Sequence, residues 1–378
     1  MMKKFTALFL FFSIVFAIVL NSCKKEPVEP TIPEVPETPA PTPTEPTPLP
    51  TGVSVDLSTV PYQKLSEYRF FKGQMKDQVP EDGVIPYQLA SSLFTDYALK
   101  KRFVWLPSGL KGTYIADNKI IELPVGAALI KTFYYDNVQP SGVTKILETR
   151  IMIKKSTGWI FAEYVWNEEQ TEATLQMDGS NTPISWSQNG TIKSANYRIP
   201  SALECLTCHK TNNNPIPIGI QPQNLNNNFT YTSGTFNQLQ HWISKGILEN
   251  NLPANIVSTI DYKDSSKPLR ERLRSFLDIN CAHCHRENSH CDYRPLRLAY
   301  SETILPENMG ICVTPDETLD PMLIKIILPG NFNKSMMHFR LSSTDESNRM
   351  PLLGRTIIDE EAVQLLKDYI TSINDCNG

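Results

Sequence analysis

The sequence predicts a multidomain α+β protein, in which an antiparallel β-rich, sandwich-like domain precedes a mainly α-helical region. Two patterns support this prediction. Short runs of β-branched and aromatic residues, separated by turn residues, fill much of residues 53–198, whereas apolar residues with helical spacing predominate after residue 198. The length of 378 residues is sufficient for two or three domains.

Residues 1–22 resemble a bacterial lipoprotein signal peptide. A basic start, Met-Met-Lys-Lys, precedes an apolar run that ends at Leu20-Asn21-Ser22-Cys23, which is similar to a lipobox. The resemblance implies cleavage before Cys23 and lipidation of that residue, which would anchor the protein to a membrane. A plain signal peptide and an uncleaved anchor helix are the alternatives. Each places the bulk of the chain outside the cytoplasm, on the periplasmic or cell-surface side of a Gram-negative membrane.

Residues 23–52 form a proline-rich segment between this signal and the folded body. Ten prolines lie between Pro27 and Pro50, and no apolar period is present. Because proline lacks a backbone donor, we expect an extended tether here. The net charge of −4, without a long Lys/Arg block, argues against nucleic acid as a partner.

Residues 53–198 are predicted to form the β-rich domain. A helix is predicted over 86–100, and strands over 102–107, 113–116, 128–136, 146–155, 158–167 and 173–177. Four aromatic residues of these strands could line a face that binds a glycan or a protein: Trp105, Trp159, Tyr164 and Trp166. Aromatic residues that alternate along strands are also typical of cross-strand pairs in a core.

The remaining residues are predicted to be mainly helical. Helical spacing of apolar residues is found within 234–248, 267–285 and 359–373. We divide this region into a first segment, residues 199–262, and a second domain, residues 263–378, because each contains one copy of a short cysteine motif.

That motif is Cys-x-x-Cys-His, at residues 205–209 and again at residues 281–285. It is the attachment signature of c-type haem. Two thiols at i and i+3 on one helix face can add to the two vinyl groups along one edge of a porphyrin, and the following histidine can reach the iron. The sequence therefore predicts two covalently attached haems, one on Cys205 and Cys208 and one on Cys281 and Cys284.

His209 and His285 are the predicted iron ligands of these two haems. A four-cysteine zinc site and a redox dithiol are the alternatives to haem. The long separation of the two motifs disfavours zinc, and a dithiol does not need the histidines.

Second axial ligands are harder to predict. Met350 lies in a loop ahead of the last predicted helix, and this order resembles the class I cytochrome c fold, so we choose Met350 for the second haem. Met336 and Met337 are the alternatives. For the first haem, His241, Met177 and an open coordination site all remain possible.

Three other predictions concern cysteine and histidine. His283, at an x position of the second motif, is expected to face solvent. Cys291 and Cys312 bracket a loop and could form a disulfide, which leaves Cys376 over, although other pairings among the three are possible.

The chain resembles a bacterial family of di-haem c-type cytochromes that have a β-rich region before the haem part. The resemblance covers residues 53–376 and rests on YRIPSALECLTCHK, LDINCAHCHRENSHC, LRLAYSET, ILPGNFNKS and RMPLLGRTIIDEEAV. It implies haem attachment at Cys205/Cys208 and Cys281/Cys284, with His209 and His285 as proximal and Met350 as distal iron ligands. From the two haems we predict a cytochrome c-like helical region and electron transfer with a redox partner protein, whose identity the resemblance does not give. A peroxidase- or oxidase-like haem enzyme with one open haem, and a surface binding protein that uses the β-rich domain, are the alternatives.

Overall fold

The structure is a computed structural model that describes residues 52–378. The predicted signal peptide, Cys23 and all but the last residue of the predicted tether lie outside the described residues. Within 52–378, no helix is both long enough and apolar enough to cross a membrane.

An eight-stranded antiparallel sheet dominates the first half of the described chain. Its strands are β3 (Ile85–Tyr87), β4 (Leu99–Trp105), β5 (Ala128–Val138), β6 (Val143–Lys155), β7 (Gly158–Trp166), β8 (Ala173–Leu175), β9 (Ser180–Gln188) and β10 (Thr191–Ile199). The main order is β10-β9-β5-β6-β7-β8. The long strand β5 pairs with β4 along its first half and with β9 at its end, and β3 pairs with β4.

Three two-stranded sheets accompany the large one. They consist of β1 (Phe71–Lys72) with β2 (Val79–Pro80), β11 (Lys210–Thr211) with β12 (Asn214–Pro215), and β13 (Asn228–Tyr231) with β14 (Gly234–Asn237). The helices are α1 (Ala202–Cys208), α2 (Pro222–Leu225), α3 (Gln238–Ser244), α4 (Leu269–Asn280), α5 (Met336–Ser342) and α6 (Glu360–Ser372).

The two faces of the large sheet are covered by different parts of the chain. One face buries Ile130, Ile151 and Tyr164 together with Tyr68 and Phe70 from the segment before the sheet. The other face buries a second cluster, which contains Leu129, Met152, Leu239, Trp242 and Ile279. Segments after the sheet therefore cover this second face, and they include the end of α4.

The predicted fold class is wrong for the second half of the chain, which is not mainly α-helical. Helical turns of all kinds account for only 20% of the described structure and strands for 27%. Long stretches such as 281–305 and 343–359 consist of turns and irregular backbone. The β-rich part also contains one large sheet, and the sandwich-like arrangement expected for it is not seen among the described strands.

Two local predictions also differ from the structure. Residues 86–100, predicted as a helix, form the end of β3, a loop and the start of β4, because Asp96 and Tyr97 adopt positive φ angles of 48° and 63° that a right-handed helix does not allow. The hairpin β9–β10 was not predicted. Its Asn189-Gly190 turn, with φ angles of 52° and 78°, is a recognisable hairpin signal.

The C-terminal core forms where α4 packs against α6. It buries Leu273, Phe276, Leu277, Leu366 and Ile370, the apolar stripes that the helical spacing predicted. A disulfide between Cys312 and Cys376 joins the chain end to this core, whereas Cys291 is a free thiol. The predicted Cys291–Cys312 pairing is therefore wrong. Cys291 is held at the second motif by a hydrogen bond from its backbone N–H to the carbonyl of Cys284.

Replacing Cys376 by serine is expected to destabilise the fold by about 2–4 kcal/mol. The bond closes a loop with a sequence separation of 64, and its loss increases the freedom of the unfolded chain. Urea unfolding of the exported protein measures this difference. Cys291→Ser is the matched control and should leave the stability nearly unchanged. The opposite ranking of the two variants would contradict the observed pairing.

Candidate functional site

The first Cys-x-x-Cys-His motif lies on the short helix α1, directly after the last strand of the large sheet. Ser201 and Glu204 form a capping box at its start, and Glu204 also forms a bidentate ion pair with Arg198 of β10. These contacts connect the helix to the sheet. His209 ends the helix, and its Nδ1 lies 2.9 Å from the carbonyl oxygen of Ile216. If Nδ1 donates to this carbonyl, the other ring nitrogen, Nε2, is left free to bind a metal.

The second motif follows helix α4 rather than lying on it. The helix ends at Asn280, and residues 281–285 continue as turns, in which the N–H of His285 donates to the carbonyl of Cys281 at 3.0 Å. The two thiols of this motif thus share a turn instead of the helix face that we expected. The Nδ1 atom of His285 is buried and has no hydrogen-bond partner among the described residues.

A large cavity lies at the second motif. It encloses about 1240 Å³ of empty space, its open mouth included, and Cys281, Cys284 and His285 line it. Most of its other walls are aliphatic or aromatic, such as Leu273, Phe276, Leu277, Leu296, Leu298, Ile326 and Leu341. Met350, Met336 and Met337 also line it. All three candidate methionines therefore reach the cavity of His285.

A second large cavity lies at the first motif, between α1 and the large sheet. Its empty space is about 1370 Å³, the open mouth included, and Cys205, Cys208 and His209 line it. Strands β4 to β7 supply much of the remaining wall, including Met152, Phe161 and Glu163. Met177 also lines the cavity, and its sulfur accepts a hydrogen bond from the N–H of Glu163 at 3.3 Å. The sheet is therefore part of the first site.

The two cavities have a common wall. Cys208, Asn280, His283, Pro351 and Leu353 line both of them. The Cys208 and Cys284 sulfurs and a ring nitrogen of His283 all lie within 4.8 Å of one another. The two motifs, far apart in the sequence, thus meet at the second cysteine of each.

His283 is buried at this common wall, so our expectation of a solvent-facing side chain is wrong. The turn that replaces the helix after Asn280 directs the side chain inward, between the two motifs. Its sequence position, an x position of the motif, contains no signal for this placement. Cys208, His283 and Cys284 form a group that could hold a metal ion.

Burial and mutual contact shift the titration of the site residues. A hydrogen bond between the two thiols lowers the pKa of Cys208 and raises that of Cys284. Burial lowers the pKa of His209 and of His285 to about 4 in each case, so both rings are neutral at pH 7. Neutral imidazole is the form that binds a metal.

The structure places His241 away from both cavities, and this candidate ligand of the first haem is not supported. Within residues 52–378 the side chains that line the two cavities do not include His241. Its ring is instead stacked on Tyr231, with the centroids 3.7 Å apart, and on Phe236. The short helix α3 turns the ring into this aromatic cluster.

The strand aromatics that could have formed a binding face are mostly core residues. Trp159, Tyr164 and Trp166 are buried, and only Trp105 is partly exposed. Tyr164 also donates a hydrogen bond to the backbone carbonyl of Tyr62. These side chains therefore stabilise the sheet and do not present an aromatic surface.

Comparisons with protein-family models, with curated proteins and with solved structures found no match for this chain.

Proposed function

We propose that this protein is a di-haem c-type cytochrome that transfers electrons outside the cytoplasm. The observation that carries the proposal is the meeting of two haem-attachment motifs at the common wall of two large cavities. When bound, each haem supplies a one-electron redox couple. Two such groups, one in each cavity, would form a relay across the common wall.

The residues present fit two attached haems. Each motif lines a cavity of its own, and the cavity at the second motif is lined mainly by apolar side chains. The unpartnered Nδ1 of His285 and the bond from His209 to Ile216 leave a ring nitrogen available at each motif. Cys205 with Cys208 and Cys281 with Cys284 would hold the groups covalently.

The chain itself does three things in this proposal. Its thiols would hold each group covalently, and His209 and His285 would bind the iron. Leu273, Phe276 and Leu277 exclude water from the second site, which favours the less charged state of a buried group. Met350 would be a further iron ligand at the second site, where Met336 and Met337 also line the cavity. Met177 is the corresponding choice at the first.

We further propose that lipidated Cys23 and the proline-rich tether hold this body at the periplasmic or cell-surface side of a membrane. The support is the sequence of residues 1–52. A redox partner protein would then meet the relay there. Electron exchange with a partner needs no bound substrate. In this proposal both cavities would be occupied by the haems, because the attachment residues line their walls.

Haem analysis of the protein, exported by a host that ligates c-type haem, tests the proposal. We expect the intact mass and the haemochrome spectrum to show two covalent haems. Cys205→Ser/Cys208→Ser and Cys281→Ser/Cys284→Ser should each retain one haem, and the control Cys291→Ser should retain both. A protein that carries no haem under these conditions would refute the proposal.

A metal site is the second candidate function, because Cys208, His283 and Cys284 bring three donor atoms within 4.8 Å. Two thiolates and an imidazole are typical of zinc. Attachment of haem consumes the same two thiols, so the two functions exclude each other. One bound zinc ion, lost on His283→Ala, together with free cysteines in the mass spectrum, would establish the metal site instead.

The coordination of the first haem separates an electron carrier from a haem enzyme. We expect two low-spin, six-coordinate haems in the electron paramagnetic resonance spectrum. A high-spin first haem that binds carbon monoxide when reduced would instead favour a peroxidase- or oxidase-like enzyme.

A further inference from the structure

A row of charged residues crosses the large sheet on the face of the first cavity. In the strand register, Arg102 of β4 lies opposite Lys131 of β5, Lys131 lies opposite Arg150 of β6, and Arg150 lies opposite Glu163 of β7. Residues directly opposite each other project from the same face of a sheet. All four line the first cavity. We call these four residues the charged row.

The row has more positive than negative charge. Three cations stand side by side, and like charges directly opposite each other destabilise a sheet. Arg150 is neutralised by Glu148, to which it donates from Nε at 2.9 Å and from Nη2 at 2.5 Å, and Glu163 lies 3.6 Å from it. Glu148 and Glu163 both pair with Arg150, so the three cations and two carboxylates have a net charge of +1, and Arg102 and Lys131 lie outside these ion pairs.

Arg102 and Lys131 form no ion pair with any carboxylate in residues 52–378. Arg102 is only 5% exposed, and its Nη2 is buried without a hydrogen-bond partner. Lys131 is only partly buried, and its Nζ lies over the ring of Phe133, 4.7 Å from the centroid. Burial, and next the charges of Arg102 and Arg150, lower the pKa of Lys131 well below its usual range. A buried cation normally has an anionic partner, because leaving water without one is costly.

We propose that Arg102 and Lys131 bind carboxylates inside the first cavity, namely the two propionates of the haem held by Cys205 and Cys208. This inference rests on the proposed function. A haem attached through its vinyl groups still has two carboxylates at its other edge, and a cavity that buries it must neutralise them. Arginine and lysine at the wall of the same cavity supply the charge and the donors for this.

The proposal also gives the β-rich part a role. The sheet would be the half of the first site that receives the propionates, while α1 supplies the covalent bonds and His209. The second cavity differs, because its cations, Arg294 and Arg340, already pair with Asp316 and Glu317. The expected effect of the charged row is therefore confined to the first haem.

Redox titration of the haem-loaded, full-length protein tests this. Arg102→Gln, Lys131→Gln and their double variant are made in the Cys281→Ser/Cys284→Ser background, where only the first haem remains. We expect a full content of one haem, a shift of its midpoint to lower potential, and a shift of the carboxylate bands in redox-difference infrared spectra. Removing positive charge disfavours addition of an electron, so the potential falls. Lys145→Gln, which removes a cation paired with the exposed Glu168 outside the charged row, is the matched control.

Other outcomes overturn the proposal. If haem content is full but the potential and the carboxylate bands match those of the control, the row does not bind the propionates. If added succinate or phosphate shifts the potential of the parent protein and the row variants abolish that shift, the row binds a free anion instead. Arg102→Lys keeps the charge and should retain most of the parent potential, so it stays informative if Arg102→Gln fails to fold. A protein without haem overturns the proposed function and this inference together.

Discussion

Glu148→Ala is expected to destabilise the fold by about 3–5 kcal/mol, the cost of removing one partner from a buried ion pair. Glu148 is fully buried and accepts two hydrogen bonds from Arg150. It also accepts one from the hydroxyl of Tyr197 at 2.5 Å. Burial, and next the Glu148 carboxylate, raise the pKa of Tyr197 well above its usual range, so the hydroxyl remains a donor. Without Glu148, both donors lose their acceptor inside the protein.

Urea unfolding measures this loss, and Glu168→Ala is the matched control. Glu168 pairs with Lys145, which lies on the same strand as Arg150. The side chain of Glu168, however, is 80% exposed. We expect this control to cost less than about 1 kcal/mol, as for most exposed pairs. Equal effects of the two substitutions would show that the Glu148 network is not a buried ion pair.

Arg355→Met is the second substitution with a large expected effect. Arg355 is 1% exposed and has no carboxylate partner among the described residues. Its guanidinium instead donates to five backbone carbonyls, those of Arg340, Leu341, Ser343, Met350 and Ile357, at 2.8–3.2 Å. It holds the loop of Met350 against helix α5. We expect a loss of about 3 kcal/mol or more, because each buried acceptor left alone costs about 1–3 kcal/mol.

The same substitution tests the placement of Met350. If this loop presents a ligand to the second haem, Arg355→Met should weaken the ferric Met–iron absorption band and leave both covalent bonds intact. Arg349→Met is the control, since Arg349 bonds only to Glu346 and to the carbonyl of Leu352. Loss of the band in the control and its persistence in Arg355→Met would contradict the assigned role.

Local patterns in the sequence predicted the local parts of the site. The two Cys-x-x-Cys-His motifs are contiguous, so their chemistry can be recognised without a fold. The sequence also predicted helices α4 and α6 and the central strands β5 to β7. In these elements the spacing of the apolar residues matches the side chains that are buried. The prediction that the second half is mainly helical was wrong. Buried side chains such as Arg355 hold long irregular segments there by hydrogen bonds to backbone carbonyls, and such bonds leave no periodic pattern in the sequence.

The sequence by itself determined the positions of the two Cys-x-x-Cys-His motifs, on which the proposal of two attached haems rests. Tertiary structure alone decided that Cys208 and Cys284 meet, that His283 lies between them, and that Cys312 pairs with Cys376. It also decided that Arg102, Lys131 and Arg150 stand in one row. Each of these results depends on strand register or on contacts between residues distant in the chain. Such contacts are set by the packing of the whole core, whereas the motifs depend only on the spacing of neighbouring residues.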